Sequence, residues 1–277
     1  MPLSAFPYIG GKSQYAPWII EQMPDHRNYV EPFGGAASVL LNKPESRTEV
    51  YNDRHDDLVH FFRVTRERPN ELYTWLQRVP YSRDVHERWT KQYYDGQRPE
   101  DDIERAGRFY FMRFSQFAAK IASRSGFKAA KNSNPASAFG SGRERIDAVA
   151  ERFSNVIIEN RDWSWVAHQY DDPDTLSYFD PPYRGRESYY GAMDFDHEEF
   201  AVTLHDLDCD WMVSYENPPE CLRTEDVWVV EKDTSWSARA NNYGGYKEAT
   251  ECIVMNFDPA ERTPFSGDGQ TKLGEVA

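Results

Sequence analysis

A chain of 277 residues with 39% hydrophobic and 15% aromatic content can bury a sizeable core, which excludes a disordered protein and suits one large domain or one domain with an insertion. No apolar run approaches the roughly 20 residues of a membrane span. Met1-Pro2-Leu3-Ser4 also lacks the charged start and apolar stretch of a secretory signal, so a cytoplasmic location is the default expectation. The net charge of −14 taken alone argues against a nucleic-acid partner.

Cys209, Cys221 and Cys252 form no C-x-x-C pair, and the seven histidines show no ligand-type spacing, so neither a metal site nor a disulfide framework is expected.

The chain opens with Phe6-Pro7-Tyr8-Ile9-Gly10-Gly11-Lys12-Ser13, followed by a helical pattern through Tyr15, Trp18, Ile19 and Met23. A phosphate-loop reading of Gly-Gly-Lys-Ser fails, because it needs a glycine where Phe6 stands and a preceding strand. A glycine pair admitting a ligand to the backbone, with Lys12 as a charged contact, competes with a plain N-terminal turn.

Residues 28–41 read as a short strand, a turn at Gly34-Gly35 and a helix, an arrangement that brings backbone close to a nucleoside-type ligand. Thr48-Glu49-Val50-Tyr51-Asn52-Asp53 reads as a second strand. Its terminal acid follows the glycines at about the 20-residue spacing at which a carboxylate meets ribose hydroxyls, although Asp53 could equally cap the helix after it.

From Asp56 to about Arg124 apolar residues recur at helical spacing, and most of the aromatics there are expected in the core. Between Arg105 and Arg145 nine basic residues face one acid, Glu144, so this segment carries +8 and the rest of the chain −22. A basic island in an acidic chain marks a polyanion site, against the alternative of a solvated helix face. Residues 123–142, rich in Ser, Gly, Asn, Ala and Lys, read as a basic loop able to order on a phosphate backbone.

Strand patterns resume at Asn155 to Glu159, with Asp162 just beyond, as a ligand contact or a helix cap. The apolar run Leu176 to Phe179 then ends in Asp180-Pro181-Pro182-Tyr183. The two prolines stiffen the turn, have no N–H and leave carbonyls free, so the turn presents rigid acceptors beside an aromatic face, suited to a planar group bearing an amino donor. Further strands are expected near residues 211–215, 227–230 and 251–257, a helix over 195–207, a cover at Ser188 to Gly191, a polar hairpin over 235–247 and a loose tail from Asp258.

Tyr8-Ile9-Gly10-Gly11-Lys12, Val30-Glu31-Pro32-Phe33-Gly34-Gly35, Asn52-Asp53 and Phe179-Asp180-Pro181-Pro182-Tyr183 together resemble the Dam-type DNA adenine-N6 methyltransferases. The resemblance implies an α/β, Rossmann-like fold with a mainly parallel seven-stranded sheet. Residues 1–66 and 150–257 would form the catalytic domain, 67–149 an inserted helical target-recognition domain and 258–277 a flexible tail. It implies S-adenosylmethionine as cofactor, double-stranded DNA as partner and methyl transfer to N6 of a flipped adenine, with a monomer slightly favoured and no metal.

Carried over by position, Asp180, Pro181 and Tyr183 would be catalytic. Tyr8, Gly11, Lys12, Glu31, Phe33, Gly34, Asp53, Asp162 and Asp180 would surround the cofactor. The basic segments suggest Arg113, Lys120, Arg124, Lys128, Lys131, Arg239 and Lys247 as DNA contacts. The Asn-Val-Pro-Phe-Gly element of enzymes that read GATC is not visible; Gly126-Phe127-Lys128-Ala129-Ala130-Lys131 stands about where it would be, so the target sequence does not carry over. Cytosine-N4 methylation and a DNA-binding protein with an inactive cofactor site are the alternatives.

Overall fold

The strands do not alternate between apolar and polar residues. Tyr29, Val30 and Glu31 of β1 (Asn28–Glu31) are buried on both faces, as are all five residues of β4 (Thr175–Phe179). Such strands require cover on both sides of a parallel sheet. The computed structural model describes residues 2–117, 121–185, 187, 195–236 and 247–265, with backbone alone for 233–236 and 247–250.

The strands β1, β2 (Thr48–Asn52), β3 (Val156–Glu159), β4, β5 (Asp210–Tyr215), β6 (Trp228–Trp236) and β7 (Lys247–Met255) form one sheet in the order β3-β2-β1-β4-β5-β7-β6. The first five are mutually parallel, and β7 runs antiparallel to both neighbours. This is the mainly parallel seven-stranded sheet expected. Strand order reverses between β1 and β4, and in open α/β sheets the crevice at the carboxyl ends there is where ligands bind.

One expected element is missing. No helix follows the Gly34-Gly35 turn; residues 32–43 form successive turns. Gly35 and Ala37 both have positive φ, at 49° and 54°, and left-handed residues two apart cannot propagate a right-handed helix. The loop is braced from outside: Gly34 N–H donates to Asn52 O at 2.7 Å and Leu40 N–H to Glu31 Oε1 at 2.8 Å.

Helices α1 (Ala16–Glu21), α2 (Asp56–Glu67), α3 (Pro69–Gln77), α4 (Arg83–Tyr94), α5 (Asp102–Ser115), α6 (Pro135–Arg143) and α7 (Ile146–Arg152) precede β3, while α8 (Trp163–Gln169) and α9 (His197–His205) connect later strands. Part of the expected basic loop is therefore helix α6. Asn134 caps it by accepting from Ser137 N–H at 3.1 Å, Pro135 occupies its first turn, and Phe139 is buried.

The aromatics of this region do form core. Phe6 packs edge-on against Phe61 with centroids 5.1 Å apart, Phe61 stacks on Tyr110 at 5.5 Å, and Tyr110 meets Phe139 at 6.0 Å. The helices between β2 and β3 thus share one apolar cluster with the N-terminal segment. Phe117, 58% exposed, is an exception.

The tail expected to be loose is docked as far as it is described. Asp25 N–H donates to Thr263 O at 2.7 Å, and Phe265 stacks on His26 with centroids 4.1 Å apart. Apolar contact, hidden in a polar stretch, anchors it. Among the described residues no helix is long and apolar enough to cross a membrane.

Candidate active site

A cavity of about 600 Å³ lies over the carboxyl ends of β1, β2 and β4. Tyr8, Gly11, Lys12, Glu31, Phe33, Gly34, Asp53, Asp162 and Asp180, separated by up to 172 positions, all line it. Its size falls within the roughly 300–1,000 Å³ of small-molecule sites.

Gly34 is required by the packing of the turn on β2. A Cβ on Gly34 would lie 2.2 Å from the Tyr51 ring and 2.9 Å from Asn52 O. Gly35 N–H donates to Asp53 Oδ2 at 2.9 Å, and His55 N–H donates to Asp53 Oδ1 at 2.7 Å. Each carboxylate oxygen keeps lone-pair capacity for a ligand hydroxyl. Burial pushes the Asp53 carboxyl above its ordinary value, against the pull of His55 and the Gly35 amide. Asp53 does not cap the next helix; His55 does, through Nδ1 and Leu58 N–H at 3.4 Å.

Glu31 is an interior acid. Tyr29 OH donates to its Oε1 at 2.7 Å beside the Leu40 amide, and burial pushes its carboxyl up to about 8. Asp162 caps α8, accepting from Ser164 N–H at 3.0 Å and Ser164 Oγ at 2.7 Å, while still lining the cavity. Next to it, Trp163 stacks on Phe33 with centroids 5.9 Å apart and an interplanar angle of 23°, and Phe195 packs on both. The sequence reading missed Trp163 and Phe195 as cavity residues. Trp163 could have been found, since it directly follows an acid at a strand end.

At the end of β4, Pro181 and Pro182 are buried and Asp180 faces Lys12, Nζ to Oδ1 2.6 Å. Burial pushes the Asp180 carboxyl up to about 6, opposed by Lys12. The Tyr183 ring stacks on Tyr215 at 5.6 Å and 28°. Its hydroxyl donates to Glu251 Oε1 at 2.5 Å, and Lys12 Nζ lies 3.6 Å from that same oxygen. Glu251, on β7, was also missed; an acid set before Cys252-Ile253-Val254-Met255 was its one local signal.

The basic segment is less free than its linear charge suggests. Arg105 pairs with Asp56 and Asp57 at 2.5 and 2.8 Å, and Arg108 with Glu104 at 2.6 Å, using acids outside the counted window. Arg113, expected on DNA, is 1% exposed with its guanidinium over the Phe109 ring, because α5 turns this position into the core. Arg124 and Lys131 are exposed and Lys128 half-buried. Lys120, Arg239 and the Ser188–Gly191 cover lie outside the described residues, as do most of the hairpin and the Lys247 side chain.

Of the residues expected to be catalytic, Asp180 lines this cavity together with Pro182, whereas Pro181 does not and Tyr183 lines a neighbouring pocket with Tyr215. The strand order, with the glycine turn and Asp180 on one crevice, is that of an α/β methyltransferase. The chain belongs to the D12 class N6 adenine-specific DNA methyltransferases, whose family model matches residues 8–229. The type II methyltransferase M.CviBI of Paramecium bursaria Chlorella virus NC1A is 26% identical over 205 residues, covering 69% of this chain and 73% of its own. The type II methyltransferase M.MjaIII of Methanocaldococcus jannaschii is 24% identical over 202 residues, covering 64% and 68%. A precorrin 8W decarboxylase structure from Methanobacterium thermoautotrophicum covers 87% of this chain and 88% of its own at 11% identity and a TM-score of 0.36, too loose a match to carry an argument.

Proposed function

We propose that this DNA adenine methyltransferase takes its methyl group from S-adenosylmethionine and delivers it to N6 of an adenine rotated out of the duplex. The observation that carries this reading is the placement of Asp180 in the same cavity as Asp53 and the Gly34-Gly35 turn. The residues fit the cofactor: an acid at the β2 end for ribose hydroxyls, a glycine turn for close backbone approach, and the Phe33, Trp163 and Phe195 rings for a purine.

When bound, that cofactor supplies an electrophilic methyl on a sulfonium, which leaves as a neutral thioether. The protein's part is alignment. N6 of a paired adenine is hidden in the duplex, so the base must be extruded, at a few kcal/mol of unstacking. Asp180 and the Pro181 carbonyl each accept one N6–H, drawing the nitrogen lone pair out of conjugation and aiming it for in-line attack. Tyr183, backed by Tyr215, stacks on the base. Transfer leaves a surplus proton on N6, and the Asp180 carboxylate, pushed up toward 6 by burial, is placed to receive it. Most of the rate gain comes from orientation and fixed dipoles.

Around the site, Arg124, Lys128 and Lys131 contact phosphates, with 1–66 and 150–257 acting as catalytic domain and 67–149 as target-recognition insertion. Asp180→Ala abolishes methyl transfer with the fold, followed by melting temperature, intact; near-normal turnover by that variant would sink the assignment. Nucleoside mass spectrometry of treated DNA gives N6-methyladenine, and N4-methylcytosine in its place would contradict the reading.

A further inference from the structure

We infer that Glu251 is a positioning residue for methyl transfer: it is the carboxylate that takes over Lys12 when the target amine claims Asp180. The inference rests on the reading of Asp180 as acceptor of the N6 amine.

Lys12 stands in two places the base must use. Its Nζ is 2.6 Å from Asp180 Oδ1, and it lies over the Tyr183 ring, 4.8 Å from the centroid. A base that stacks on Tyr183 and donates to Asp180 has to displace it from both.

The ammonium cannot simply retreat to water. Its side chain is 7% exposed, and a buried charge separated from its counter-ion costs several kcal/mol. Glu251 removes that cost. Its Oε1 already stands 3.6 Å from Nζ, too long for a hydrogen bond and close enough that a small swing makes one.

The receiving carboxylate is itself fixed. Glu251 sits on β7 opposite Lys232 of β6, one residue beyond Cys252, which pairs with Tyr215 at the end of β5. The Tyr183 hydroxyl donates to the oxygen nearest Lys12. One acid therefore holds the stacking ring and offers the lysine its second seat. Two acids thus stand on either side of one ammonium, at 2.6 and 3.6 Å, so Lys12 can leave Asp180 without leaving an acidic neighbour.

The test uses full-length protein: wild type, Glu251→Gln, Lys12→Met, the double variant and Asp180→Ala, assayed by single-turnover transfer on the DNA site mapped for the wild type. Glu251→Gln keeps shape and the acceptor for Tyr183. It is expected to slow transfer about 100-fold, the scale of a misplaced reacting group, with cofactor affinity by calorimetry and melting temperature near wild type. In the Lys12→Met background the same change adds little, because the two residues act as a unit.

Transfer within about twofold of wild type, or losses that multiply independently, overturns the inference. If Glu251→Gln does not fold, Glu251→Asp repeats the test, since it keeps the charge but sets it one methylene back from Lys12: slowed transfer with cofactor affinity kept supports the inference, wild-type transfer overturns it. Turnover by Asp180→Ala would instead overturn the reading of Asp180. An inactive Asp180→Ala beside a wild-type-like Glu251→Gln removes the Glu251 inference alone.

Discussion

Lys12 Nζ and Asp180 Oδ1 meet at 2.6 Å across 168 positions of sequence, joining the glycine turn at the start of the chain to the Asp-Pro-Pro-Tyr turn at the end of β4. The pair sets the ionisation of the acid on which the proposed chemistry depends.

Asp180 accepts an N6–H when ionised, and burial holds its carboxyl near 6 while Lys12 pulls it down. The kcat/KM profile, which reports free-enzyme ionisations, should therefore fall as pH drops through about 6. Replacing Lys12 by Met removes the lowering charge, so the acid limb moves to higher pH. An unmoved limb in that variant would show that another group titrates.

Gly34→Ala should be among the most damaging single-methyl changes in the chain. The added carbon has 2.2 Å to the Tyr51 ring and 2.9 Å to a backbone oxygen, and overpacking of this kind costs typically about 1–3 kcal/mol. Thermal denaturation is expected to show that loss, and calorimetry a weakened cofactor site. Gly126→Ala, where the new carbon meets nothing within 4 Å, is the control and should melt as wild type.

Lysines and arginines of the basic segment should divide by burial. Lys131→Ala removes an exposed charge and lowers the salt slope of DNA binding by about one, across all sequences tested. Arg113→Ala removes an interior guanidinium packed on Phe109, so it lowers melting temperature while leaving that slope unchanged. Fluorescence-anisotropy titrations at several salt concentrations separate the two.

Glu31 makes stability depend on pH. Its carboxyl is held near 8 in the folded protein against an ordinary 4.5, so the folded state keeps a proton the unfolded state has lost. The stabilisation is fully present below about 4.5 and is lost as pH rises through about 8. Glu31→Gln keeps an acceptor for Tyr29 and Leu40 without a proton to lose. Its melting temperature should decline less between pH 5 and 8 than that of the wild type; parallel curves would contradict the assignment.

What the sequence by itself determined is local. Strand ends carry their own punctuation, so the glycine turn, Asp53, Asp162 and Asp180-Pro181-Pro182-Tyr183 could each be placed at a strand's carboxyl edge, and the family resemblance these motifs carry implied one mainly parallel sheet whose edge gathers them. Where local conformation depends on a distant partner, sequence failed. The stretch after Gly35 has helical composition but is held as turns by Asn52, Asp53 and Glu31, and the tail is held by His26.

Charge was the least legible quantity. Coulomb energy follows distance in space, so Arg105 finds Asp57 and the nine-to-one count over 105–145 overstates the basic face. Glu251 is the clearest case of what only the tertiary structure decided. Its one local mark is its place before an apolar run, and it reaches Lys12 and Tyr183 because β7 folds back antiparallel beside β5, carrying an acid from near the end of the chain to the turn after β4.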